Sequence, residues 1–181
     1  MWLTLTYHDG GATSQDDEIS VVYDIDHNEA HFGAAFVAAP ALLWKLHEGA
    51  PVSDAMLSAE VTVDPAEEWI LRCDRIDFPP GGVAHLHTHP GPGIRCQLFG
   101  ELTVETEGRS RTYGPLGAWF ETGPDPVFAI ASETDESAFV RVMLLPRKWE
   151  GKRTITYVDP ADADRPKLQR ATVFFDRHVE L

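Results

Sequence analysis

Three of the chain's eight histidines stand at alternate positions in the stretch VAHLHTHPGPG: His85, His87 and His89. Imidazoles are the commonest metal ligands among side chains, and they exchange protons near neutral pH. On a strand, alternate residues point the same way, so the three rings are expected on one face, with Ala84, Leu86 and Thr88 on the other. Neighbours would lie about 6.5–7 Å apart along the strand and the outer pair about 13 Å apart. Metal–imidazole bonds are only about 2.0–2.1 Å long. Two adjacent rings can therefore converge on one ion, and the third needs another task, such as acting as a base. The competing reading is a polar, solvated strand face.

The surrounding sequence supplies the strands that would carry such a face. EWILRCDRIDF (68–78) is rich in β-compatible residues and ends on Pro79-Pro80-Gly81-Gly82. VAHLHTH, IRCQLFG, ELTVETE, AWFET, VFAIA and AFVRVMLLP follow, separated by Gly and Pro turns, and RTITYV and ATVFF come near the C-terminus. Short strands with frequent turn signals predict an antiparallel sandwich or barrel, with a pocket at its mouth. The segment PALLWKLHEG (40–49) reads as a short helix: Pro40 suits a first helical position, Lys45 and His47 the last turn, and Gly49 the stop.

Composition narrows the function. A chain of 181 residues fits one domain with a substantial core. The formal net charge of −14 disfavours nucleic acid and anionic membrane surfaces as partners. Cys73 and Cys96 are the only cysteines and form no CxxC pair, which suits a reducing compartment. With no signal-peptide pattern and no long apolar run, a cytoplasmic protein is expected.

The sequence resembles the cupin family, whose first motif has the form G(x)5HxH(x)3-4E(x)6G. Gly81, His87-Thr88-His89 and Gly100 match it, within a resemblance covering roughly residues 68–146. The resemblance implies an all-β, cupin-type double-stranded β-helix, a jelly-roll sandwich, with a short helical or irregular N-terminal extension. The core motif leaves the first 60 residues and the tail unexplained; they are read as an N-terminal extension over 1–60 that packs on or extends the barrel, beside a core over 61–146 and C-terminal strands of the same domain over 147–181. In this register His87 and His89 are the metal pair and His85 precedes the motif. The departures are specific. The motif's glutamate falls on Gly93, and the second motif, G(x)5PxG(x)2H(x)3N, places its histidine at Phe128, with no histidine between residues 90 and 177. Two of the four usual ligands are missing.

Other side chains could complete a site. Glu121 is the best-placed carboxylate, and with the two histidines it would form a facial triad suited to Fe(II), with Mn, Ni or Zn as alternatives; it could equally face solvent or pair with an arginine. If Glu121 points inward, so does Trp119; the opposite parity turns Phe120 inward. The cupin register turns Arg95 and Gln97 inward, Gln97 as a further metal ligand and Arg95 to hold a substrate carboxylate. The opposite facing leaves Arg95 on the surface and Ile94, Cys96 and Leu98 in the core. Trp119, Phe120, Phe128 and Phe99 could line a pocket, Phe128 in the slot the missing histidine vacates. His27, His31, His47 and His178 read as surface or cap residues, although His27 or His31 could reach the site if the N-terminal segment folds over its mouth.

These expectations define a metal-dependent enzyme acting on a small organic molecule, carboxylated or not. Dioxygenase-like chemistry leads, isomerase and lyase chemistry are alternatives, and His85, Arg95 and Glu121 are the candidate catalytic groups. The competing readings are a small-ligand binder with a degenerate metal site and a structural module. The resemblance also implies a homodimer.

Overall fold

The computed structural model describes residues 1–181 as seventeen strands with two short 3₁₀ turns. The first seven are β1 (Trp2–His8), β2 (Ala12–Ser14), β3 (Ile19–Asp24), β4 (Glu29–Phe32), β5 (Ala35–Val37), β6 (Ala41–His47) and β7 (Leu57–Glu60). The next five are β8 (Trp69–Phe78), β9 (Val83–Thr88), β10 (Gly93–Phe99), β11 (Leu102–Thr106) and β12 (Arg109–Tyr113). The last five are β13 (Ala118–Glu121), β14 (Val127–Ala131), β15 (Ser137–Pro146), β16 (Thr156–Tyr157) and β17 (Arg170–Val179). No helix is long and apolar enough to cross a membrane.

Strands β8 to β15 form a jelly roll. One sheet has the order β13-β10-β15-β8 and the other β12-β11-β14-β9, so the chain changes sheet at every connection except the β11–β12 hairpin. That is the eight-stranded, double Greek-key arrangement. At one edge β17 extends the first sheet beside β8, and β16 extends the second beside β9. The C-terminal strands thus extend the sheets, whereas the N-terminal strands build a layer of their own, ordered β4-β3-β6-β1-β7.

That layer covers the outer face of the β8/β10/β15 sheet. Leu3, Leu5, Tyr23 and Trp44 from the N-terminal layer share one core with Cys73, Ile94, Cys96 and Val142 from the β8/β10/β15 sheet. Strands β8, β10 and β15 are therefore covered on both sides, which accounts for the nearly unbroken burial along AFVRVMLL. The alternation on β10 follows directly: Ile94 and Cys96 belong to this outer core, which leaves Gly93, Arg95 and Gln97 for the jelly-roll interior. Both faces are core, so the choice between a buried Arg95 and a buried Ile94–Cys96 pair does not arise.

The helix expected over Pro40–Gly49 is absent, as is a helical or irregular extension: the segment is β6, paired antiparallel with β1 on one side and β3 on the other. Leu42, Trp44 and Leu46 enter the core against the jelly roll, while Ala41 and Leu43 enter a second, smaller core. A short apolar run buried on both faces has no periodicity that separates strand from helix. Partners on both edges decide it, and they are remote in sequence.

Candidate functional site

The jelly roll encloses a cavity of about 530 Å³ between its two sheets. His87, His89, Glu121 and Trp119 line it, so four of the side chains expected at a site come together. Arg72, Asp74, Arg141 and the segment Gly151–Ile155 join them.

His85 does not line the cavity, and the strict alternation expected for the three histidines fails for a definite reason. On β14, Val127 pairs with His87 and Ala129 pairs with Ala84. One residue, Phe128, thus lies opposite two, His85 and Leu86, which is a β-bulge in β9. The extra residue resets the parity, so Ala84 and His87 face inward together, while Leu86 is exposed. His85 contributes its backbone instead: its carbonyl accepts a hydrogen bond from His87 Nδ1 at 2.7 Å.

His89 is held in the same manner, its Nδ1 donating to the Thr154 carbonyl at 2.9 Å. A carbonyl only accepts, so each Nδ1 carries the proton and each neutral ring presents a bare Nε2. The two Nε2 atoms lie 3.2 Å apart. Two lone pairs that close repel unless a proton or a cation sits between them. A proton is disfavoured: burial pushes the His87 pKa down, and burial together with the Arg141 and Arg95 charges pushes that of His89 well below its ordinary value. The N···N distance is within the span of two metal–nitrogen bonds of about 2.0–2.1 Å each. Rings fixed through Nδ1–H on carbonyls are the usual support of metal-bound imidazoles.

Glu121 is buried, with Oε1 accepting from Trp119 Nε1 at 2.8 Å. Its Oε2 lies 2.6 Å from Arg95 Nη2 and 3.6 Å from His89 Nε2. The contact with Arg95 is an ion pair out of hydrogen-bond alignment, and both Glu121 Oε2 and Arg95 Nη2 lack a hydrogen-bond partner. Glu121 stands directly across from Gly93, the position of the missing motif glutamate. A Cβ at residue 93 would lie 2.5 Å from the Val142 carbonyl oxygen and 2.8 Å from Met143 Cγ, so that slot is closed to any side chain. The carboxylate comes from the neighbouring strand instead.

Arginines surround this group. Arg141 is locked on Asp74 by two hydrogen bonds, of 2.6 and 3.0 Å, and its Nη1 is 3.3 Å from His89 Nε2. Arg95 is wholly buried, its Nη1 donates to the Gly93 carbonyl, and burial pushes its pKa down to about 10. The donor set therefore fits a metal held by two imidazoles, with a carboxylate oxygen, ion-paired to Arg95, within 3.6 Å of one of them. No three His, Cys, Asp or Glu side chains form a metal cluster as they stand.

Other expected residues lie elsewhere. Gln97 is buried on β10, but its amide donates to the Phe99 carbonyl at 2.8 Å and it does not line the cavity. Phe128 sits at the non-inward position between Val127 and Ala129, so the residue in the vacated histidine slot does not face the cavity. Phe120 packs toward the N-terminal sheet and Phe99 is partly exposed. His27 pairs with Asp24 and His31 approaches Glu29, both in the layer that covers the outer face and not the mouth. Arg72, Asp74 and Arg141 were legible only as charges inside apolar strands, at alternate positions in RCD and in FVRVM. Buried charges at such places need partners, which is the signal that could have singled them out.

A scan against family models finds no match, and no curated protein matches the sequence. Solved structures do show likeness. An RmlC-like cupin from Shewanella frigidimarina is 17% identical, covering 43% of this chain and 68% of its own, with a TM-score of 0.39. An oxalate oxidase in complex with glycolate is 22% identical, covering 53% and 52%, with a TM-score of 0.43. The polyketide cyclase RemF from Streptomyces resistomycificus is 19% identical, covering 52% and 63%, with a TM-score of 0.41. The match spans about half the length of the oxalate oxidase chain. The chain's own strand order defines the class: this is an eight-stranded jelly roll.

Proposed function

We propose that the chain is a metal-dependent cupin-fold enzyme acting on a small carboxylated organic molecule. The observation that carries this reading is the pair of bare Nε2 atoms, 3.2 Å apart in a cavity and each fixed from behind by a carbonyl. His87 and His89 would hold the ion, with Glu121 as the adjoining carboxylate. Two histidines and a carboxylate favour Fe(II), with Mn, Ni or Zn as alternatives. Such an ion would supply Lewis-acid polarisation of a bound carboxylate or activation of dioxygen, so oxygen-dependent conversions are the first to examine. Arg141, fixed by Asp74 beside His89, supplies positive charge where a substrate carboxylate would sit.

A second reading, a non-catalytic binder of small anions, draws on a separate observation. Glu121 is engaged by Arg95 and Trp119, and Arg141 points an N–H at His89. Chelator-stripped protein titrated with Fe(II), Mn(II), Ni(II) and Zn(II) separates the two. Near-stoichiometric uptake of one metal, lost in the His87→Ala/His89→Ala double variant, supports the enzyme. Natively folded protein that takes up none of the four overturns it.

A further inference from the structure

The cavity is polar at one end and apolar at the other, and four strands agree on the direction. Along β8 the inward residues run Arg72, Asp74, Ile76, Phe78; along β15, Arg141 precedes Phe139 in the same sense, because Arg141 pairs with Asp74 and Phe139 with Ile76. Strand β13 places Glu121 at the polar end and Trp119 at the other, and β9 places His87 and then Ala84. The apolar end is one continuous cluster in which Ile76, Phe78, Leu102, Val104, Trp119 and Phe139 meet.

The segment Gly151–Ile155 lies at the polar end, where Arg72 donates to the Lys152 carbonyl and His89 to the Thr154 carbonyl. Lys152 and Arg153 line the cavity there, and neither has a carboxylate partner. Lys167 lines the cavity from the segment that leads into β17, anchored on the carbonyls of Asp162, Ala163 and Arg165. On a chain of net charge −14, a cavity lined by five cations, Arg72, Arg141, Lys152, Arg153 and Lys167, against three carboxylates, Asp74, Glu121 and Asp176, is a local inversion of sign.

We infer that the ligand is an amphipathic organic monoanion, with an alkyl or aryl body in the apolar end and its carboxylate at the histidine and lysine end. A volume of 530 Å³ is in the range of pockets that enclose drug-sized molecules and exceeds what a two-carbon acid fills. This deepens the proposed function by naming the substrate class; it rests on the cavity being the ligand site, not on the metal.

The test is isothermal titration of metal-stripped protein with butanoate, hexanoate, octanoate, decanoate and 3-phenylpropanoate, with oxalate, succinate and 1-octanol as controls. Affinity is expected to rise about 3–4-fold per added methylene until the apolar end is full. Octanol is expected to bind more weakly than octanoate, by a margin that shrinks in the Lys152→Gln/Arg153→Gln double variant. The Ala129→Leu variant, filling the space between Val104 and Ala84, is expected to shorten the optimal chain. Affinity independent of chain length, or oxalate binding better than octanoate, overturns the inference even if the metal is taken up. A chain-length series that persists in protein unable to bind metal leaves the inference standing and removes only the metal from the proposed function.

Discussion

His87 and His89 point their Nε2 atoms at each other across 3.2 Å, while His85, two residues earlier on the same strand, contributes only its carbonyl. The bulge opposite Phe128 makes that division. It predicts unequal outcomes for three substitutions that the sequence alone would treat as equivalent. His85→Ala keeps the carbonyl and is expected to change metal affinity by no more than about twofold, as for a side chain outside the site. His87→Ala and His89→Ala each remove a donor and are expected to weaken binding by at least about 100-fold, since loss of a mere supporting contact already costs about 10–100-fold. Metal titrations of the three variants check this. Comparable losses at all three positions would sink the bulge-based assignment.

How far the sequence exposes this structure depends on whether a feature is local. Strand alternation and turn residues are local, and they suffice to place β8 to β15. The HxH pair and the shared facing of Glu121 and Trp119 are also readable, since each follows from period-two geometry on one strand, but which way the Glu121 face turns is not. The bulge is not readable, because it is set by pairing between β9 and β14, some 40 residues apart in sequence. The same holds for β6, where PALLWKLHEG carries helix-end signals and becomes a strand through β1 and β3. Gln97 shows a third limit: parity predicts which wall it faces, but not that its amide would turn to the Phe99 carbonyl. Above all, the third layer was out of reach, since nothing in residues 1–60 states that their sheet lies on the outer face of β8, β10 and β15.

The Asp74–Arg141 pair is buried, with side-chain exposures of 3% and 6%, and it lies where the polar end of the cavity begins. Removing one member leaves the other charged and unpartnered in the interior. Arg141→Met is expected to cost about 3–5 kcal/mol in urea unfolding, and Asp74→Leu a similar amount. The Asp74→Leu/Arg141→Met double variant is expected to recover most of that loss, because two apolar side chains of similar size replace the pair. It also removes the N–H directed at His89 Nε2, so its metal affinity should exceed that of the unsubstituted protein. Additive losses in the double variant would show that the two residues act independently.

Asp176 ties β17 and the turn after β15 to Arg72 at the cavity edge. Its two oxygens accept from Arg72 Nε and Nη2 at 2.6 Å each, and Oδ2 also accepts from the Gly151 backbone at 2.8 Å. Arg72 in turn reaches the carbonyls of Lys152 and Trp149, so one carboxylate orients the segment that carries Lys152. Burial works to raise the Asp176 pKa, but the Arg72 guanidinium and the Gly151 N–H outweigh it and hold the carboxyl below its ordinary value of 3.8. The sign of the linkage follows. As pH falls, the unfolded chain takes up this proton first, near 3.8, while the folded chain resists. The stabilisation is therefore fully present above that value and is lost as pH drops through the lower, folded one. Asp176→Asn keeps the shape and removes the charge, so it is expected to cost about 1.5–3 kcal/mol at pH 7. Other carboxylates titrate in both proteins, which makes the difference between them the informative quantity. Urea unfolding at pH 7, 4 and 2.5 should show the gap between the unsubstituted protein and the variant narrowing only below about pH 4. A gap that is unchanged at pH 2.5 would mean that the carboxylate charge contributes nothing and that the segment is held by the remaining carbonyl contacts of Arg72.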